Sequence, residues 1–110
     1  MIYVSLSTIP SRINTIHKSI DSLINQSVKP DKIFLNIPIN FKRFKEKISD
    51  KDIPKLPDVV EITRCEDCGP GTKLLGSISK LKKNSLIILA DDDQVYENYM
   101  IETFNKFYKK

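Results

Sequence analysis

The sequence predicts an α/β fold, with a small parallel sheet of about four strands and flanking helices. β-rich runs alternate along the chain with segments whose apolar residues recur at helical spacing, the pattern of strand–helix–strand units. The run over residues 86–90 is wholly apolar, which is typical of a strand buried on both faces in the middle of a parallel sheet. The length of 110 residues predicts a single domain over residues 1–110.

The first part of the chain is predicted to form two strands and the helix between them. Residues 3–7 are β-rich, and Pro10 ends this strand before Ser11 caps a helix. A second strand is predicted over residues 32–37. Between the strands, from about residue 12 to residue 26, apolar residues share one helical face; they are Ile13, Ile16, Ile20, Leu23 and Ile24.

The second part is predicted to add two more strands and two more helices. Residues 40–57 are polar and lysine-rich, so they predict a connection that holds a short helix around residues 41–48. A third strand is predicted over residues 59–63 and a short helix over residues 72–81, before the apolar strand already described. A last helix is predicted from about Glu97.

This last helix carries more large apolar residues than one helix face can bury. The excess predicts a missing partner, which is a further domain half, a second copy of the chain or another chain. The alternative is that Tyr99 and Tyr108 are amphipathic surface residues.

Three consecutive carboxylates, Asp91, Asp92 and Asp93, follow the fourth strand. Ligands of open α/β sheets bind beyond the carboxyl ends of the strands, and adjacent carboxylates repel one another unless a cation lies between them. A divalent metal is therefore predicted, with substrate phosphates as its other ligands. Residues two apart on an extended segment point the same way, which makes Asp91 and Asp93 the predicted metal ligands. The alternative is an acidic cluster that stabilises the start of the last helix.

Two further groups are predicted to lie near these acids. Lys73 belongs to a glycine-rich segment that opens a helix, where backbone amides and a positive charge favour phosphate. Thr8 and Arg12 follow the first strand and lie at the same edge of the sheet, where Arg12 would pair with a diphosphate. The alternatives are simple turn chemistry around Lys73 and a surface position for Arg12.

Composition and charge narrow the classes of protein that fit this sequence. The net charge is +4, and the basic residues are interleaved with acidic ones, which favours a solvated surface over a nucleic-acid site. No apolar stretch is long enough for a membrane span and the N-terminus lacks the features of a signal peptide, so a cytoplasmic protein is predicted. Cys65 and Cys68 lack the further ligands that a structural zinc site needs, and two reduced thiols are expected.

The segments that follow the strands resemble those of a known family. The first strand ends in Ser-Thr-Ile-Pro-Ser-Arg, Gly-Pro-Gly-Thr-Lys-Leu-Leu-Gly precedes a buried strand, and that strand ends in Asp-Asp-Asp-Gln-Val-Tyr. In their order and spacing, they resemble the N-terminal, nucleotide-binding half of GT-A glycosyltransferases, close to the family 2-like group. The resemblance covers nearly the whole chain and implies a Rossmann-like sheet.

The resemblance implies a metal-dependent transfer of a sugar from a nucleoside-diphosphate sugar to an acceptor, which is a glycan, a protein or a lipid. Asp91 and Asp93 match the family's Asp-x-Asp motif, which binds manganese or magnesium and through it the donor's diphosphate. Lys73 matches a basic residue near the donor. The implied nucleotide-sugar-binding residues are Thr8, Arg12, Lys73, Asp91 and Asp92.

The sequence departs from the family pattern in two respects. Residues 36–40 lack the acidic pair that reads the base in many members, and the chain ends one helix after Asp93, so the acceptor-binding half and its general base are not identified. The predicted alternatives are a non-catalytic or degenerate nucleotide-sugar-binding module and a small α/β module that binds other proteins.

Overall fold

The computed structural model describes residues 1–82 and 84–108, and it confirms the predicted α/β class. Four strands form one all-parallel sheet in the order β3-β2-β1-β4. The strands are β1 (Ile2–Ser7), β2 (Lys32–Pro38), β3 (Val60–Cys65) and β4 (Leu86–Leu89), and the α-helices are α1 (His17–Ile24), α2 (Thr72–Leu75) and α3 (Met100–Tyr108).

One face of the sheet carries the hydrophobic core. Side chains alternate between the two faces of each strand, so Val4 and Leu6 lie on the same side as Ile33, Leu35 and Ile88. All five are buried in one cluster with Ile16, which directly precedes α1, and with residues of α1 and α3; the helical members are Ile20, Leu23 and Ile101. The predicted apolar face of the first helix is thus the face that packs on the sheet.

The other face of the sheet is polar at its centre and carries α2. The Nδ2 group of the buried Asn36 donates to the carbonyl oxygens of Thr72 and Lys73, each at 3.1 Å. Gly76 follows α2, and a Cβ atom there would lie 2.8 Å from the Asn36 side chain and 3.0 Å from the sulfur of Cys65. A glycine at this position therefore allows the helix to approach the sheet.

β4 corrects one expectation, because it is an edge strand that is buried on one face only. Ile88 is 5% exposed, but Ile87 and Leu89 are 36% and 45% exposed. A wholly apolar run indicates that a strand packs against apolar side chains, but it does not indicate which strands pair with it.

All four predicted helices differ from those in the structure. The first, predicted from about residue 12 to residue 26 with Ser11 as its cap, is a 3₁₀ turn at Ile13–Thr15 followed by α1. Residues 41–48 form no helix; a short 3₁₀ turn follows at Asp50–Asp52 instead, and Ile48 is the buried residue of the segment. One buried side chain does not stabilise a short helix, which depends on tertiary packing. The helix over residues 72–81 is one α-helical turn, α2, flanked by 3₁₀ turns, and the last helix begins at Met100 rather than Glu97.

Candidate functional site

The predicted site residues meet at the carboxyl edge of the sheet, between β1 and β4. These strands are neighbours in the sheet but not in the sequence, because the chain leaves β1 for β2 on the opposite side. Such a reversal of strand order creates a crevice at the carboxyl ends, where ligands of open α/β sheets bind. Thr8 directly follows β1, and Asp91 comes two residues after the end of β4.

Asp92 is the buried member of the acidic triplet. Its Oδ2 atom accepts a hydrogen bond of 2.7 Å from the hydroxyl of Thr8 and one of 3.0 Å from Nε of Arg12. Thr8 is 3% exposed and Asp92 is 7% exposed. Because the carboxylate is held by two donors away from water, Asp92 joins the ends of β1 and β4 as a structural link.

Asp91 and Asp93 are the accessible members, and each has a cation beside it. Lys73 Nζ lies 3.3 Å from Oδ1 of Asp91, and Arg12 Nη1 lies 3.6 Å from Oδ2 of Asp93. The side chains of the two acids are 60% and 50% exposed. The structure therefore brings together all six predicted residues, with Thr8 and Arg12 bonded to the triplet itself.

Asp91 and Asp93 were predicted to point the same way because the triplet was taken to be an extended segment. The structure differs from this expectation. Asp92 and Asp93 form a turn, and the N–H of Asp91 donates to the hydroxyl of Tyr96 at 2.7 Å. Burial of its ring raises the pKa of Tyr96, although this hydrogen bond opposes the rise. The turn leaves both outer carboxylates at the surface while it buries the central one.

A metal ion at this position would have to be shared between the protein and a ligand. Among residues 1–82 and 84–108, no three His, Cys, Asp or Glu side chains lie together in an arrangement that would hold a metal ion. Mg²⁺ and similar ions keep several waters and take one or two carboxylates together with substrate phosphates. Two exposed carboxylates, Asp91 and Asp93, would hold such an ion, which supplies positive charge beside a diphosphate.

The polar side of α1 was not identified from the sequence, and it holds the segment that follows the triplet. The buried Ser19 hydroxyl donates to the carbonyl oxygens of Asp92, at 2.9 Å, and of Gln94. Ser22 accepts a hydrogen bond of 3.0 Å from the N–H of Tyr96. A signal was present, because Ser19, Ser22 and Gln26 recur at helical spacing beside the apolar face.

A cleft of about 350 Å³ opens beside the triplet, above the carboxyl ends of β1 and β2. Thr8 and Arg12 line the side nearest the triplet. Residues 41–44 line another side, with the rings of Phe41 and Phe44 6.0 Å apart in an edge-to-face contact. The Arg43 guanidinium lies 5.5 Å from the Phe44 ring centre. The sequence interpretation treated this segment as a connection and missed its contribution to the cleft.

Asp67 ties the cleft wall to the glycine-rich loop. Its carboxylate accepts the N–H of Lys42 at 2.9 Å and the N–H of Gly69 at 2.8 Å, and these hydrogen bonds hold the pKa of Asp67 below its usual value. Cys65 and Cys68 are both free thiols, as expected, and burial raises the pKa of Cys65. The Cys65 thiol is therefore not activated as a nucleophile.

Comparison with known protein families finds no family model that matches this chain. Comparison with curated proteins likewise finds none with significant similarity. None of the helices in the described part of the chain has the length and apolar character needed to cross a membrane.

Proposed function

We propose that the chain binds a nucleoside-diphosphate sugar through a divalent metal and serves as the donor-binding part of a glycosyltransferase. The observation that carries the proposal is the position of Asp91 and Asp93, exposed and next to Lys73 and Arg12, at the crevice between β1 and β4. That crevice is where α/β sheets of this order bind nucleotides.

The charges at the crevice support a ligand made of metal and diphosphate. Three carboxylates face two cations, Arg12 and Lys73, which leaves an excess of one negative charge. A divalent cation would change this excess to one positive charge, which attracts a diphosphate. Lys73 and the Nη1 group of Arg12 would then be free to contact phosphate oxygens instead of Asp91 and Asp93, while Nε of Arg12 keeps its hydrogen bond to Asp92.

The cleft beside the triplet supports a nucleoside as the rest of the ligand. Its volume of about 350 Å³ lies at the lower end of the range for small-molecule sites. Phe41 and Phe44 offer aromatic surface for a base, and Lys42 and Arg43 add positive charge. Asp67 is the acid that lines this cleft, and it would take the place of the family's base-reading acids.

One observation favours the alternative of a non-catalytic module. Asp92 is committed to Thr8 and Arg12, so this part of the triplet stabilises the fold whether or not a ligand binds. A degenerate domain would retain this link and lose metal-dependent binding.

The test is calorimetric titration of UDP, with and without Mn²⁺, on the wild type, on Asp93→Asn and on Asp21→Asn. We expect the affinity for UDP to fall by about tenfold or more when Mn²⁺ is omitted or Asp93 is replaced, which equals about 1.4 kcal/mol. Asp21 is exposed on α1, so its replacement makes the same charge change outside the crevice and should leave binding unchanged. An affinity for UDP that depends on neither Mn²⁺ nor Asp93 would refute the metal-bridged site.

A further inference from the structure

Two ion pairs at the crevice already join the groups that the proposed ligand would contact. Lys73 Nζ lies 3.3 Å from Oδ1 of Asp91, and Arg12 Nη1 lies 3.6 Å from Oδ2 of Asp93. The four side chains are between 33% and 60% exposed. An ion pair between exposed side chains changes an equilibrium constant by a factor of about five or less. Both pairs can therefore be exchanged for other partners.

The main chain of Lys73 is anchored to the sheet, whereas its side chain is partly exposed. The carbonyl oxygen of Lys73 accepts hydrogen bonds from the Nδ2 group of Asn36, at 3.1 Å, and from the hydroxyl of Ser5, and both of these residues are buried. Lys73 directly follows Thr72, which lines the cleft. A lysine side chain is a flexible four-carbon chain. Its ammonium group can therefore leave Asp91 while the backbone beside the cleft stays in place.

Arg12 is held more firmly than Lys73. Its Nε atom donates to the buried Asp92 at 3.0 Å, in addition to the contact of its Nη1 atom with Asp93. An exchange of partners by the whole guanidinium would leave a buried carboxylate with one donor fewer, which is costly. Lys73 is thus the cation at the crevice that can change partners at the lower cost.

We propose that Lys73 makes the crevice selective for a divalent metal together with a diphosphate over the metal alone. The inference rests on the proposed function, because it concerns the same site. While Lys73 lies at Asp91, its charge occupies a carboxylate that the metal would use, and it repels the metal. A diphosphate offers the ammonium group a new partner and thereby frees the carboxylate. Each ligand favours the arrangement that the other requires, and by linkage the effect is reciprocal.

The test is Lys73→Met, which keeps an unbranched side chain and removes the charge. We expect this variant to bind Mn²⁺ alone about threefold to fivefold more tightly than the wild type, because the competing cation is gone. In the presence of Mn²⁺, we expect it to bind UDP about tenfold or more weakly, because a charged hydrogen bond to phosphate is lost. Calorimetry measures both affinities. Broadening of the Asp91 amide signal by Mn²⁺ in NMR spectra verifies that the metal binds at the crevice.

Two further variants serve as controls. Lys80 forms an exposed ion pair of 2.8 Å with Glu61, on the edge strand β3, so Lys80→Met removes a comparable lysine outside the crevice and should change neither affinity. Lys73→Arg keeps the positive charge, so it should keep the weak binding of Mn²⁺ alone and bind UDP more tightly than Lys73→Met does. A gain in affinity for Mn²⁺ cannot arise from loss of folding, which would weaken both ligands.

The outcomes separate this inference from the proposed function. If UDP binding depends on Mn²⁺ and Asp93, but Lys73→Met lowers both affinities or leaves the affinity for Mn²⁺ alone unchanged, the donor site stands and the role of Lys73 is overturned. If the affinity of the wild type for UDP depends on neither Mn²⁺ nor Asp93, the donor site itself is refuted.

Discussion

At the scale of single residues, the acidic triplet divides into one structural member and two accessible ones. Asp92 receives the hydroxyl of Thr8 and the guanidinium of Arg12 within the fold, whereas Asp91 and Asp93 face solvent. The sequence predicted which residues would meet, because the carboxyl ends of parallel strands share one edge. It did not predict which carboxylate would be buried, because that depends on the turn at Asp92–Asp93 and on donors from β1 and α1.

The hydroxyl of Thr8 should stabilise the protein through its hydrogen bond to Asp92. Thr8→Val keeps the shape of the side chain but leaves a buried carboxylate with one donor fewer. We expect the free energy of unfolding to fall by about 1.5–3 kcal/mol, as for hydrogen bonds to charged groups. Urea denaturation measures this change.

Thr63 offers the matched control, because its buried hydroxyl has no hydrogen-bond partner among the described residues. Thr63→Val should leave stability unchanged or raise it, since it removes a polar group that gains nothing from burial. If the two substitutions had equal effects, Thr8 would act through packing and not through Asp92.

At the scale of elements, the strands followed their sequence signals closely and the helices did not. Each strand lies within two residues of its predicted position, since β-rich runs and the prolines and glycines around them are local features. Helix α3 begins later than predicted because backbone groups at its start form long-range hydrogen bonds. The Nε2 group of Gln26 donates to the carbonyl of Glu97 at 2.7 Å, and Oε1 of Gln26 accepts the N–H of Ile101 at 3.0 Å.

Gln26 should therefore determine how firmly α3 is attached to the domain. Gln26→Leu keeps the side-chain volume but leaves the carbonyl of Glu97 and the buried N–H of Ile101 without this partner. We expect a loss of about 1–3 kcal/mol in the free energy of unfolding and faster hydrogen exchange at the Ile101 amide. The exposed Lys18→Ala on α1 should change neither quantity. Unchanged exchange at Ile101 in Gln26→Leu would show that packing alone holds α3.

Glu61, on the edge strand β3, should make the stability of the protein depend on pH in the acid range. Hydrogen bonds from the ammonium groups of Lys80 and Lys32 hold the pKa of Glu61 below its usual 4.5. The unfolded chain then binds a proton at higher pH than the folded chain does. The stability that this carboxylate contributes is therefore complete above pH 4.5 and is lost as the pH falls through the lower folded pKa.

Thermal unfolding of the wild type and of Glu61→Gln across this range provides the measurement. We expect the stability difference between the two proteins to shrink on acidification, whereas the exposed Glu46→Gln should keep the pH dependence of the wild type. A difference that stays constant from neutral pH to below pH 4 would contradict the linkage.

At the scale of the whole molecule, the proposed ligand site depends on the order of the strands in the sheet. It lies at the carboxyl ends of β1 and β4, which are neighbours in the sheet although β2 and β3 lie between them in the sequence. The sequence predicted that the site residues would share one edge of the sheet, but it did not show that β1 pairs with β4, because sheet order is a property of long-range pairing. The pairing of β1 with β4 brings Thr8 and Arg12 within hydrogen-bond distance of Asp92.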